Sequence, residues 1–266
     1  MQRLTAVREG ARSVRRNPKE VGAYIVVGLR QLRDDARLVG RGIRYSIAPP
    51  PEMGDWETVA GTTLLRRSYR HNQEYEDQQV AKLPIVKRDL AARSHGRRTG
   101  FVERFGSCPE ILAAKSILCL GARTGEEVAA LYDHGVLAVG VDLLPGDDRY
   151  VLRGDWHALE FPDESFEAVY GNAFDHARDL DAVLKEVDRV LAPGGVFLLD
   201  IAYGFDEGRP VGPFESLAWP TARDLADEVG KVTGFRLERF GEIRLLHMDG
   251  WCEAVYRKPA VAAGSA

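Results

Sequence analysis

The sequence predicts an α/β protein built on a mainly parallel sheet, and three observations carry that expectation. Short apolar runs of strand length recur after residue 115, separated by segments with helical spacing. Those runs are continuously apolar instead of alternating, as in strands covered on both faces. The composition is that of a chain with a sizeable core: 266 residues, 45% apolar and 29% charged. Five parallel strands plus a terminal antiparallel pair, behind an N-terminal helical extension, is the expected architecture.

The elements follow in order. Residues 1–47 read as two helical segments split near Asn17-Pro18, the second with Val21, Tyr24, Ile25, Leu29 and Leu32 on one face. Ala48-Pro49-Pro50-Pro51 stops any helix. The polar stretch 69–82 reads as a further helix ending before Pro84, and residues 96–100 (Gly-Arg-Arg-Thr-Gly) as a connection. Strands are expected at 116–120, 137–142, 150–152, 168–170 and 196–199, with helices at 126–134 and 180–191. In the second helix Leu180, Val183, Leu184, Val187, Val190 and Leu191 share a face, and Pro193-Gly194-Gly195 stops it. A helix at 221–233 and strands at 236–242 and 251–256, joined through Asp249-Gly250, complete the pattern. The domain division is 1–109 for the helical extension or lid, 110–259 for the ligand-binding domain, and 260–266 for a disordered tail.

Composition excludes several classes. Three cysteines without a CxxC pair argue against a disulfide framework or a cysteine-rich zinc site. The apolar run at 21–29 is about half of a membrane span and lacks a cleavage pattern, so a cytoplasmic protein with no span is expected. The net charge of −4 divides unevenly: residues 1–110 carry a surplus of +8 and the remainder −12. Basic residues that are dispersed, with no RNA- or DNA-binding motif, fit a solvated face better than a nucleic-acid footprint.

After the first predicted strand comes Gly121-Ala122-Arg123-Thr124-Gly125-Glu126-Glu127, opening a helix, and Asp142 ends the second strand 21 residues after Gly121. A tight turn at one strand end and a carboxylate at the next is the arrangement of a nucleoside site, the carboxylate accepting from ribose hydroxyls. A dinucleotide needs a close-approach glycine where Arg123 stands, and Glu126 and Glu127 repel a phosphate at the helix start. A nucleoside ligand without phosphate remains, and S-adenosylmethionine meets that description.

Four ordered motifs resemble those of the class I S-adenosylmethionine-dependent methyltransferases, over roughly residues 110–258. Ile117-Leu118-Cys119-Leu120-Gly121-Ala122-Arg123-Thr124-Gly125 is similar to the family's glycine-rich motif, departing at Cys119, where an acid is usual, and at Arg123, where glycine is usual. Val139-Gly140-Val141-Asp142-Leu143 resembles the ribose-binding motif, and residues 154–166, with Asp155 and Trp156, the adenine-binding region. Residues 187–195 resemble the motif before the fifth strand. The resemblance implies a Rossmann-like sheet and a cofactor set of Gly121, Ala122, Arg123, Gly125, Asp142, Leu143, Asp155, Trp156 and Asn172. It places Asn172 beside the methionine end, and Arg123 is a candidate partner for the methionine carboxylate.

Methyl transfer to a hydroxyl needs positioning and a base. His176, followed back to Asp175, sits just past the fourth strand, and an imidazole titrating near ~6.5 suits that role. His157 has the weaker claim. Tyr69, Tyr75, Gln78, Gln79 and Lys82 are candidate acceptor contacts, with Tyr69, Tyr75 and Gln79 foremost, and Phe205, Trp219 and Trp251 candidate walls. A Mg²⁺ variant would draw on Asp175, Asp200 and Asp206. The expected function is O-methylation of a small-molecule hydroxyl, on a sugar, polysaccharide or secondary metabolite. An RNA or protein methyltransferase using the basic front half, and a non-catalytic S-adenosylmethionine-binding protein, are the alternatives. A homodimer is left open.

Overall fold

The computed structural model describes residues 54–146, 149–245 and 248–260, the side chains of 83–95 excepted. The predicted helical segments within 1–47 and the tail from 261 lie outside the described residues. Seven strands form the main sheet: β3 (Ser116–Leu120), β4 (Leu137–Asp142), β5 (Val151–Arg153), β6 (Phe166–Gly171), β7 (Leu191–Ala202), β9 (Arg236–Glu242) and β10 (Trp251–Arg257). Their order is β5-β4-β3-β6-β7-β10-β9. The first five are parallel, and β10 runs antiparallel to both of its neighbours. This is the expected five-plus-two sheet.

Helices cover both faces, because the strands are apolar on both. On one side lie α4 (Leu180–Val190) and α5 (Ala222–Thr233). In α4, Leu180, Val183, Leu184, Val187 and Val190 are buried, an i, i+3, i+4, i+7, i+10 stripe. Asp179 caps the helix by accepting from the Ala182 N–H at 3.0 Å. Thr221 and Asp224 form a reciprocal capping box at the start of α5. On the other face lie α1 (Asn72–Gly106), α2 (Pro109–Leu112) and α3 (Glu126–Asp133). Phe101, Phe105, Cys119, Leu131 and Tyr170 belong to the core on that side.

Three local expectations are corrected. The helix does not end before Pro84: α1 continues through residues 96–100 to Gly106. An internal proline costs about 3 kcal/mol and each glycine about 1. Burial at both ends outweighs those costs: Tyr75, Gln78, Gln79 and Val80 near the start, Phe101, Arg104 and Phe105 near the end. The fifth strand begins at Leu191, directly after α4, and not at 196. Leu191 is already extended and pairs with Phe166, while Val196 pairs with Ala168, so Pro193-Gly194-Gly195 is absorbed in a bulge. Finally, β1 (Trp56–Thr58), β2 (Leu65–Arg67) and β8 (Leu217–Ala218) make a small antiparallel sheet that the sequence did not signal. Strands of two or three residues are too short to show alternation. Its Arg67 bonds the Glu215 carbonyl at 2.7 Å and stacks over Trp56.

Candidate active site

The carboxyl ends of β3, β4 and β6 open into a cavity of about 580 Å³. Ligands bind at this edge of parallel sheets, and the volume suits a small-molecule cofactor with an acceptor. Gly121, Ala122, Arg123, Asp142, Leu143, Asp155, Trp156, Asn172, Asp175, His176, Tyr75 and Gln79 all line it. Gly125, Tyr69 and Gln78 do not. Gly125 is the N-cap of α3, held in the left-handed region at φ 73°, with Tyr150 Cβ 2.8 Å from where a Cβ would stand. Its part is to turn the chain into the helix. Tyr69 precedes α1 and is held by Gln78 and by Ser216, whose Oγ lies 2.7 Å away.

Gly121 stands at φ 70°, and a Cβ there would approach Trp156 to 3.3 Å and Ala173 Cβ to 3.0 Å. The glycine keeps the cavity floor low between the indole and the turn. Asp142 is buried at the end of β4; it accepts from the Leu144 N–H at 2.7 Å and the Arg123 N–H at 3.1 Å. Each carboxylate oxygen keeps a spare lone pair for a hydroxyl. The Arg123 Nε lies 3.6 Å from Asp142, so in this structure Arg123 faces that carboxylate.

The Asp155 carboxylate accepts from the His157 Nδ1 at 2.5 Å and backbone N–H at 2.9 Å, and from Arg178 at 3.2 Å. Burial opposes its charge, but these bonds prevail and hold it down at about 2. His157 is thereby tied to Asp155, away from a base role.

His176 is more constrained than its sequence position suggested. Its Nδ1–H donates to the Phe214 carbonyl at 3.1 Å, and Nε2 meets the Lys82 Nζ from α1. Asp175 Oδ2 is 3.8 Å from Nε2, and the Tyr75 hydroxyl donates to the His176 carbonyl at 3.1 Å. Burial pushes the imidazole down to about 4, Asp175 only partly opposing. The expectation of titration near 6.5 is therefore overturned. Burial also pushes the Lys82 ammonium down to about 8.

Among the described residues, three buried polar atoms of the lining side chains find no hydrogen-bond partner: Gln79 Nε2, Arg123 Nε and Glu127 Oε2. Unpaired buried groups are costly, so the cavity fits a ligand that carries both acceptors and donors. Glu127 also corrects the charge argument at the start of α3. Burial pushes it up to about 8, so at neutral pH Glu127 does not bring the charge that the sequence argument assigned to it.

Sequence reasoning named Lys82 as a candidate acceptor contact and not as a base. Tyr75, Gln79 and Lys82 stand at i, i+4 and i+7, one helical face, and that spacing was the available signal. Arg97, Gly100 and Phe101 also line the cavity. They were missed because Gly96 to Gly100 read as a connection. Among the walls proposed, Trp251 lines the cavity. Trp219 is a core residue whose Nε1 donates to the Ala202 carbonyl at 2.8 Å.

The metal expectation is not supported. No group of three potential ligands occurs among the described residues. Asp200 is fully buried elsewhere, bonded by Arg104 at 2.7 Å and by the Tyr170 hydroxyl at 2.9 Å. A carboxylate so saturated has no place in a site for Mg²⁺ with Asp175 and Asp206.

Residues 118–199 match the family described as "Methyltransferase domain". A malonyl-[acyl-carrier protein] O-methyltransferase of Halorhodospira halophila is 30% identical over 151 residues, covering 51% of this chain and 48% of that protein. A sterol 24-C-methyltransferase of Yarrowia lipolytica is 38% identical over 111 residues, 35% of this chain and 28% of that protein. The chain thus spans less than half the length of these curated relatives. A solved Burkholderia thailandensis 1,6-didemethyltoxoflavin-N1-methyltransferase is 16% identical with a TM-score of 0.49, covering 77% of this chain and 100% of that one.

Proposed function

We propose that the chain, whose residues 118–199 match the family described as "Methyltransferase domain", is an S-adenosylmethionine-dependent methyltransferase that O-methylates a hydroxyl on a polar small molecule. The observation that carries this reading is the Lys82–His176 contact, which faces the same cavity as Asp142 and Trp156. When bound, S-adenosylmethionine supplies an electrophilic methyl group on a sulfonium. Asp142 would accept from the ribose hydroxyls, Asp155 and Trp156 would hold the adenine, and Asn172 would flank the methionine end.

The acceptor hydroxyl must lose a proton as its oxygen–carbon bond forms. The imidazole of His176, at about 4, is a weak base. Lys82, at about 8, is near the pH of operation and is the better proton acceptor. With Nδ1–H committed to Phe214, His176 offers Nε2 to one N–H of Lys82. That contact engages one N–H of the neutral amine and would leave its lone pair available to the cavity that Lys82 lines. Lys82 takes the proton, and His176 is its positioning residue. Asp175 offsets the charge that Lys82 acquires.

The acceptor space is lined by Tyr75, Gln79, Lys82, Asp175 and His176, a polar set that favours a hydroxylated ligand over a lipid. The described residues include no helix long and apolar enough to cross a membrane. All three cysteines are unpaired and buried, which suits a reducing compartment and supports a cytoplasmic setting. The test is methyl transfer from radiolabelled S-adenosylmethionine to sugars, phenols and tRNA. Label in a hydroxylated small molecule is expected; label confined to RNA or to protein would contradict the proposal.

A further inference from the structure

Glu127 is the second residue of α3, only 3% exposed, and it lines the cavity. Its Oε2 is the one buried carboxyl oxygen among the described residues without a hydrogen-bond partner. The other buried carboxyl of the cavity lining is engaged: Asp142 accepts two backbone N–H groups. The half-buried Asp155 is held by His157 and Arg178. A carboxyl group held dry beside an open cavity, with one oxygen bare, is a receptor for a hydrogen-bond donor or a cation.

Its position selects the donor. Cys119 on β3 and Tyr170 on β6 feel its charge from beneath, and both belong to the core on the α1 side of the sheet. Trp156 and Val141, which flank the proposed adenosine end, belong to the opposite core. Glu127 therefore stands at the end of the cavity away from the indole. There the proposed cofactor carries an amino acid, whose ammonium has three donors.

We infer that Glu127 receives the α-ammonium of S-adenosylmethionine and gives up a proton when it does so. The inference rests on the cofactor reading above. In the free protein the carboxyl holds its proton up to about pH 8 because burial disfavours the anion. Arg97 from α1 favours the anion, whereas Glu126 on the same helix and Asp142 from β4 oppose it. Cys119 and Tyr170, both held protonated by burial, add no charge from below. An incoming ammonium tips this balance toward the carboxylate. The O–H bond of Glu127 breaks, its proton passes to solvent, and a carboxylate–ammonium pair remains.

Calorimetric titration of the full chain tests this, in buffers of different ionisation enthalpy, with S-adenosylmethionine and with 5′-methylthioadenosine, which lacks the amino acid. Near pH 6.5, S-adenosylmethionine binding is expected to release close to one proton, and 5′-methylthioadenosine none. Affinity for S-adenosylmethionine should rise about tenfold or more between pH 6 and 8. In Glu127→Gln, an isostere of the protonated acid that keeps the folded packing, the release and the rise should both vanish. Binding of both ligands without proton release would overturn the role of Glu127 while leaving the cofactor reading intact. Binding of neither would overturn the cofactor reading itself.

Discussion

Lys82 and His176 show how burial redistributes chemical roles between neighbouring residues. An exposed histidine near a strand end would serve as base at neutral pH. Here the dry surroundings leave His176 neutral down to about 4 and bring Lys82 down to about 8. The rate at saturating substrates should therefore rise with pH toward about 8, and no step should appear near 6.5. Lys82→Met should lower turnover at least ~10²-fold with cofactor affinity held within about a factor of three. His176→Ala should lower it less and move the rate's pH midpoint, since it frees Lys82 from its partner. A pH profile unchanged in His176→Ala would remove the positioning role. At Asp142 the test is binding. Asp142→Ala should raise the S-adenosylmethionine dissociation constant tenfold to a hundredfold, roughly 1.5–3 kcal/mol for lost charge-assisted bonds. A folded variant with unchanged affinity would contradict the ribose assignment.

At the scale of elements, the central sheet was legible because its signals are local. Continuous apolar runs such as Ile117 to Leu120, too short for a helix and followed by a glycine turn, read as strands covered on both sides, and the α4 stripe has a clear helical period. The course of α1 was not legible. Pro84, Gly96 and Gly100 all mark a break, and the helix persists because distant residues anchor it. Its strongest anchor is Arg104, 1% exposed, which pairs with Asp200 at 2.7 Å and Glu253 at 2.9 Å. Removing Arg104 would leave Asp200 as an uncompensated buried charge. Arg104→Ala should cost about 3–5 kcal/mol, read by denaturant unfolding. A loss below about 1 kcal/mol would show that the pair does not hold α1. The candidate site divides in the same way. Gly121 and Asp142 were readable because turn and strand end lie in one short stretch. The meeting of Lys82 with His176, 94 positions apart, depends on how α1 lies across the sheet.

For the molecule as a whole, pH ties the site to stability. The folded His176 lies at about 4, below the ordinary value of 6.5. Between those values the unfolded chain binds the extra proton, so stability is lost as pH falls from about 6.5 to 4. Glu127, held up at about 8, works in the opposite direction over much of that window, so the His176 contribution is read as a difference: from pH 6.5 to 4 the melting temperature of His176→Ala should fall less, or rise more, than that of the unaltered protein. Selectivity is also a property of the whole cavity. Arg123 occupies the place where backbone would have to approach a pyrophosphate, and Glu126 stays at the start of α3. NADH and ATP should consequently fail to displace S-adenosylmethionine at comparable concentration, as equilibrium competition would read.

The central claim is that one cavity holds the cofactor and presents its methyl to Lys82. A crystal structure with S-adenosylhomocysteine tests it most directly. The account predicts the ribose hydroxyls on Asp142, the adenine beside Asp155 and Trp156, and the sulfur facing the space between Lys82 and His176. A nucleoside bound elsewhere, or a sulfur turned away from Lys82, would contradict it.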